Sequence, residues 1–333
     1  MRLSGKGFGY LAIAAALFGY FSVTALVPAS AEQTRSAQPA KPTGGKLAWA
    51  VGDSSVALKA GDQILWRFCY GKEARKPHFH PVAVPGGPTL TVNSPPDHPW
   101  HHGLWFSWKS INGLNYWEED RETGRSQGRT EWAEPKIDVQ DDFSARIVLE
   151  LTYRPPGKEP VLRERRVVEI SPPTRDRVYA FDWSSTFTAG DEKVVLDRTP
   201  IPGEPGGKPW GGYAGLSVRF TDGFRNAIAV DTKGPVAFDG TRYRGRSPAM
   251  DYSGSIGGSV AGIAIFDHPK NPNAPTPWYV IRAKPMRYMS PAVICYDAME
   301  LKPHESFSLR YRIVVHPGRW DVQRLQQQIR RFR

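Results

Sequence analysis

Five of the eight histidines fall between positions 78 and 102, in Pro77-His78-Phe79-His80-Pro81 and in Asp97-His98-Pro99-Trp100-His101-His102-Gly103. Imidazole exchanges protons near neutral pH, ligates metals and hydrogen-bonds hydroxyls, so the cluster suits proton transfer, an ion site or the grip of a polar ligand. Extended backbone sends alternate side chains to one side. On that basis His78 and His80 share a side, as do His98, Trp100 and His102, with His101 opposite. Asp97 is placed to act as a ligand or to fix the tautomer of a neighbouring imidazole. A divalent metal is the one cofactor the cluster suggests, held by some combination of His80, His98, His101 and His102, although the spacing matches no specific metal signature. A metal-free polar site and a purely structural network are the competing readings.

Aromatic residues follow at once: Trp100, Trp105, Phe106, Trp108, Tyr116 and Trp117. An indole face can stack on the C–H face of a sugar ring while its N–H bonds a hydroxyl. Leu104, Phe106 and Trp108 alternate as a core-facing strand would, which leaves Trp100 and Trp117 as the rings expected to meet a ligand. Asn112-Gly113 between apolar segments predicts a tight hairpin that folds Tyr116 and Trp117 back beside Trp105 to Trp108. That turn brings Glu118, Glu119 and Asp120 toward the histidines, unless they form only a solvated acidic loop. A second stretch, Gly262 to Pro272 and on to Trp278, reads as a strand opening into a Pro-rich loop, where Asp267 and His268 are expected to face the same cleft. The expected catalytic set is therefore His101 or His102 as general acid or base, Asp97 orienting it, with His98, Asp267 and His268 completing the cleft. His80, Trp100, Trp117, Asn112 and Trp278 form the expected ligand-binding set.

The elements that must position these groups are strands. Phe143, Ala145, Ile147, Leu149, Leu151 and Tyr153 fall on one face, with Ser144, Arg146, Glu150 and Thr152 on the other, the period-two signature of a half-buried strand. The pattern recurs at Leu162 to Ile170, Val178 to Phe187 and Phe307 to Val315. Thirty prolines and thirty-two glycines punctuate these runs and argue for many turns and few helices. One helix is expected, at the C-terminus, where Asp321 precedes the apolar stripe Val322, Leu325, Ile329 and Phe332. The sum is an all-β chain, a large antiparallel β-sandwich with a C-terminal helix.

The first residues read as an export signal: basic Arg2 and Lys6, an apolar run to Val27, and the small-residue site Ala29-Ser30-Ala31. Residues 1–31 are the expected signal peptide, 32–45 a polar disordered tether, and 46–333 a single β-sandwich domain, placing the mature protein in the periplasm or outside the cell. Loss of Arg2 and Lys6 takes the formal charge from +11 to +9. Lys and Arg are scattered among acids, which opposes a nucleic-acid groove. No stretch after Ala31 is long and apolar enough to span a bilayer, so no stable membrane insertion is expected after cleavage. Export permits a disulfide between Cys69 and Cys295, and two buried free thiols are the equal alternative.

The sequence resembles a bacterial family of unassigned activity labelled methane oxygenase PmoA. The resemblance lies in Lys76-Pro77 with Phe79-His80-Pro81, in Asp97 to Phe106, in Asn112-Gly113 with Tyr116-Trp117, in Asp267-His268-Pro269 with Asn271 and Trp278, and in Tyr311-Arg312. The sequence opposes the oxygenase activity in that label, because a methane monooxygenase subunit is a membrane protein whereas nothing after Ala31 here is long and apolar enough to span a bilayer. The tail Leu301 to Phe307 is also similar to the close of galactose mutarotase-like β-supersandwich domains, in which a His and a carboxylate in an open cleft act on a sugar ring; that likeness implies a carbohydrate ligand. The leading expectation is an exported carbohydrate-active enzyme, a hydrolase, lyase or epimerase on a glycan or sugar derivative. A metal-dependent enzyme built on the His cluster and a non-catalytic glycan-binding module are the alternatives.

Overall fold

The computed structural model describes residues 45–330 and 332; the expected export signal (1–31) and all but the last residue of the expected tether (32–45) lie outside them. As the alternating patterns require, the chain folds into antiparallel sheets. One has nine strands in the order Leu47–Gly52, Ser55–Ala60, Gln63–Cys69, His78–Val82, Leu104–Ser107, Gly215–Phe220, Arg287–Pro291, Pro277–Arg282 and Arg242–Arg246. The other has ten, in which Ala249–Ile256, Ser259–Asp267, Ser306–Pro317, Tyr179–Ala189, Leu162–Ile170 and Ala145–Arg154 form the continuous centre. A small sheet joins Met299–Leu301, Val194–Asp197, Ser110–Ile111 and Leu114–Asn115.

The two large sheets bury a common apolar core. Trp66 and Phe79 of the first meet Phe181 of the second edge to face, with centroids 6.5 and 4.9 Å away. Each such ring, fully removed from water, contributes about 1.5–3 kcal/mol. Tyr179 ties the layers with a polar bond as well, its hydroxyl serving the Leu65 and Ala83 carbonyls at 2.9 Å each. The expected inward face of Ala145–Arg154 is buried at Ala145, Ile147, Leu149, Leu151 and Tyr153, while Arg146 and Glu150 are exposed. The C-terminal helix, Val322–Ile329, starts at Asp321, whose side chain accepts the Arg324 N–H. Its Leu325, with Trp320 just before the helix, packs on the outer face of the ten-stranded sheet against Phe266 and Val314. No helix among the described residues is long and apolar enough to cross a membrane.

The nine-stranded sheet is apolar on both faces, which decides where the site lies. Leu104, Phe106, Leu216, Val218, Trp278 and Val280 point into the main core. Their neighbours Trp105, Tyr279, Ile281 and Tyr288 point the other way and build a second cluster with Trp117, Ala292 and Cys295 on the outer face. Both cysteines are free thiols.

Candidate functional site

The outer cluster does not close over itself. It leaves a hollow of about 300 Å³ walled by Trp100, Trp117, Trp210, Tyr213, Tyr279, Ile281, Met286 and Tyr288, with His98, His101, Glu118 and Arg242 as its polar groups. The Asn112-Gly113 hairpin forms as the sequence predicts: Ser110–Ile111 pairs with Leu114–Asn115, and both turn residues take positive φ, 50° and 80°. That turn brings Trp117 to 5.6 Å from Trp105 and delivers Glu118 to the hollow. Trp210 stands 50% exposed at its wall. Its loop is held by Arg244, whose guanidinium donates to the Pro209 and Gly211 carbonyls at 2.7 Å.

Residues 95 to 101 turn rather than extend, with the His98 N–H bonded to Pro95 O and the His101 N–H to His98 O, both at 3.0 Å. The alternation expected of an extended segment is therefore lost, because a turn brings residues three apart together. His98 stacks on His101 at 4.7 Å, and Trp100 meets His98 edge-on at 5.4 Å. Asp97 orients His98, not His101 or His102: its Oδ2 lies 2.9 Å from His98 Nδ1. Arg219, wholly buried, donates through Nη2 to both Asp97 oxygens at 2.9 and 2.7 Å. Burial works against the Asp97 charge, yet the Arg219 and His98 bonds hold its carboxyl below the usual aspartate range.

These partners assign the tautomers. His98 Nδ1 faces a carboxylate and so carries the proton, leaving Nε2 as the basic nitrogen. His101 Nδ1 lies 3.4 Å from the Arg219 Nη1 donor and so accepts, leaving Nε2 protonated. Burial, reinforced by His98 and Arg219, holds His101 well below the usual histidine range and keeps it neutral. One stacked pair thus offers an acceptor and a donor. Glu118 is ionised: burial raises its pKa, but the Lys109 ammonium and the Tyr213 hydroxyl, 2.5 Å from Oε1, bring it down.

His102 faces away from this hollow. Its Nε2 lies 3.0 Å from Glu119 Oε1 and its Nδ1 3.1 Å from Asn93 Oδ1. Lys76, almost fully buried, also donates to Glu119 and to the Trp117 carbonyl, the latter at 3.1 Å. Desolvation opposes the Glu119 charge, but His102 and Lys76 outweigh it and hold the carboxyl at about 2. His78 stacks on His102 at 5.1 Å and its Nδ1 meets the Lys76 carbonyl at 2.8 Å. Gly103, at φ 79°, follows: a Cβ there would meet the Phe79 carbonyl at 2.6 Å, so the close approach of the two histidine segments needs glycine. Glu119 also lines a separate polar cavity of about 510 Å³ with Lys72, Arg75, Lys76, Arg125 and Arg129.

Several expected residues stand elsewhere. His80 bonds Thr91 Oγ1 at 3.1 Å and does not line the hollow. Trp278 is sealed in the main core with its N–H on the Ser247 carbonyl at 2.7 Å. Asn112 is spent on the small sheet, accepting the Val195 N–H at 2.7 Å. Asp267 clamps its own loop through Asn271 Nδ2 and the Thr276 N–H at 2.7 and 2.8 Å, and it lines a different, apolar cavity with Pro269 and Phe332. His268 meets Phe332 and receives the Lys270 N–H at 3.1 Å. The common cleft expected for Asp267, His268 and the first histidine segment is thus not formed. Among the described residues no group of three or more His, Cys, Asp or Glu side chains is arranged to hold a metal ion. His80, His98, His101 and His102 turn to Thr91, Asp97, Arg219 and Glu119 instead of to one point.

Half of the hollow was not foreseen. Trp210, Tyr213, Arg242, Tyr279 and Tyr288 come from distant segments; the pairing of Gly215–Phe220 with Leu104–Ser107 and Arg287–Pro291 brings Tyr288 to the histidines, with Arg219 behind them, and the further pairing of Pro277–Arg282 and Arg242–Arg246 adds Tyr279 and Arg242. The available signal was Arg219 within the apolar run Ala214 to Phe220, a charge that a doubly buried strand keeps only with a partner.

A model described as a family of unknown function (DUF6807) matches residues 55–330. No curated protein matches the chain in sequence. Among solved structures, the chain is similar to the Slr1438 protein of Synechocystis sp. PCC 6803 at 11% identity and TM-score 0.35, over 82% of this chain and 96% of that one. It is similar to a candidate aldose 1-epimerase of Klebsiella pneumoniae at 8% identity and TM-score 0.40, over 84% and 83%. A polysaccharide lyase matches at 14% identity and TM-score 0.32, over 85% of this chain and 34% of the lyase.

Proposed function

We propose that this chain, which belongs to the DUF6807 family of unknown function, is an exported carbohydrate-active enzyme that moves a proton at a sugar ring held in the aromatic hollow. One observation carries the reading: an Asp97–His98 pair, fixed from behind by Arg219, faces a cavity walled by indole and phenol rings. Aromatic walls suit the apolar face of a pyranose, and the His101 donor and Glu118 acceptor suit its hydroxyls. His98 takes or gives the proton at Nε2, and Asp97 holds the ring and balances the imidazolium. Hydrolysis, elimination and epimerisation all require such a transfer. The basic start, apolar run and small-residue site of residues 1–31 support export.

The test is product analysis after incubation of the mature protein with a panel of oligosaccharides, for wild type, His98→Gln and Asp97→Asn. A general acid or base contributes about 10²–10⁴-fold, so turnover should fall by that order in His98→Gln with folding intact. Wild-type-like turnover in His98→Gln would remove the catalytic assignment; sugar binding with no turnover in wild type would make the hollow a recognition site.

A further inference from the structure

Three arginines of the edge strand Arg242–Arg246 alternate onto the hollow side of the sheet, and their employment differs. Arg246 is committed to its neighbouring loop, donating to the Asn273 and Pro275 carbonyls at 2.7 and 3.2 Å. Arg244 is committed: its guanidinium bonds the Gly211 and Pro209 carbonyls and lies over the Tyr279 ring at 4.7 Å. Arg242 lines the cavity itself. Its Nε donates to the Tyr279 hydroxyl at 3.2 Å and its Nη1 to Thr241 Oγ1 at 3.3 Å, both neutral partners. It is half-buried, and no carboxylate among the described residues pairs with it.

The other charges around the hollow are already answered. Glu118 is matched by Lys109, and Asp97 by Arg219. Arg242 is thus the one permanent charge lining the hollow without a counterion among the described residues, and it stands beside apolar walls where a lone cation is costly. A guanidinium presents a planar fork of donors that matches a carboxylate.

We infer that the hollow selects an acidic sugar, a uronate residue whose carboxylate pairs with Arg242 while its ring stacks on the tryptophans. This rests on the carbohydrate reading above and narrows it. The net positive charge left after loss of Arg2 and Lys6, +9 from the +11 of the full sequence, favours approach of a polyanionic glycan.

Calorimetric titration of the full mature protein tests it, with oligosaccharides of glucuronate, galacturonate, mannuronate and guluronate set against the same compounds after reduction of the carboxyl to the alcohol. At least one uronate should bind at least about tenfold more tightly than its reduced counterpart, the scale of a charge-assisted hydrogen bond. Arg242→Gln should abolish that preference, and Arg242→Lys should retain part of it as a point charge, both with wild-type thermal unfolding. Equal binding of the reduced sugars would overturn the acidic class and leave the carbohydrate reading standing. A uronate preference that survives Arg242→Gln would overturn the role of Arg242. Failure of both series to bind would overturn the carbohydrate reading together with this one.

Discussion

Glu118 and Glu119 are adjacent in the chain and face two different cavities: Glu118 lines the aromatic hollow, while Glu119 lies almost fully buried against Lys76 and His102 beside the basic one. A bend after the Asn112-Gly113 hairpin sets up this split: Asn115 Oδ1 accepts the Trp117 and Glu118 N–H groups at 2.8 and 3.2 Å, and the two carboxylates leave it toward different partners, Lys109 and Lys76. One carboxylate is therefore available to a ligand and the other holds the fold together.

Glu119→Ala leaves the Lys76 amine buried without its counterion, a change that costs about 3–5 kcal/mol. Glu118→Gln removes a partly exposed pair and should cost at most about 1 kcal/mol. Urea unfolding of both variants checks the contrast, and equal stability losses would show that the two roles are misassigned.

The His102→Ala and His98→Gln variants should separate in the same way. His102 bonds Glu119 and Asn93 inside the protein, so its loss should lower stability by about 1–3 kcal/mol through unsatisfied partners. His98→Gln should lower turnover and leave the unfolding midpoint nearly unchanged. Loss of turnover in His102→Ala at full stability would move the acid–base role to His102.

Acid should destabilise the protein earlier than carboxylate titration alone would. Burial lowers His78 to about 3 and His80 to about 4, and it lowers His101 and His102 as well. Unfolded histidine titrates near 6.5, so between roughly pH 6.5 and 4 the unfolded chain binds more protons than the folded one and stability falls as pH falls. Each histidine adds a limiting slope of about 1.4 kcal/mol per pH unit. Glu119, held at about 2 in the fold, adds the same sign below about pH 4.3. Urea midpoints at pH 7, 5.5 and 4 should decline steadily; a flat profile across that span would contradict the buried neutral imidazoles.

Tryptophans should divide by face. Trp278→Ala opens the main core and loses the bond to Ser247, costing about 3–5 kcal/mol. Trp100→Ala, at the wall of the hollow, should spare stability and weaken sugar binding by about tenfold or more. Fluorescence titration and thermal unfolding of the pair measure both; unchanged affinity in Trp100→Ala would take that ring out of the site.

Local pattern was enough for the strands and for one wall of the site. Alternation marked Ala145–Arg154 and Ser306–Pro317, Asp321 marked the helix start, and Asn112-Gly113 marked the hairpin that carries Trp117 and Glu118. Faces within the histidine segment depart from alternation because Pro95 to His101 turns, and a turn replaces period two by contacts three residues apart. The opposite wall leaves no local signal because Tyr279 and Tyr288 reach the histidines through a relay of strand pairings, and its first link, Gly215–Phe220 on Leu104–Ser107, joins residues more than a hundred positions apart. Asp267 and Trp278 misled for another reason: a polar or amphipathic residue at a strand end serves the loop's own hydrogen bonds as readily as a ligand.

A crystal structure of the mature protein with a bound oligosaccharide tests the central claim most directly. The account predicts a sugar ring against Trp100, Trp117 and Trp210, with a ring carbon or hydroxyl within reach of His98 Nε2. A sugar seated in the basic cavity beside Glu119, or on any surface away from His98, would contradict it.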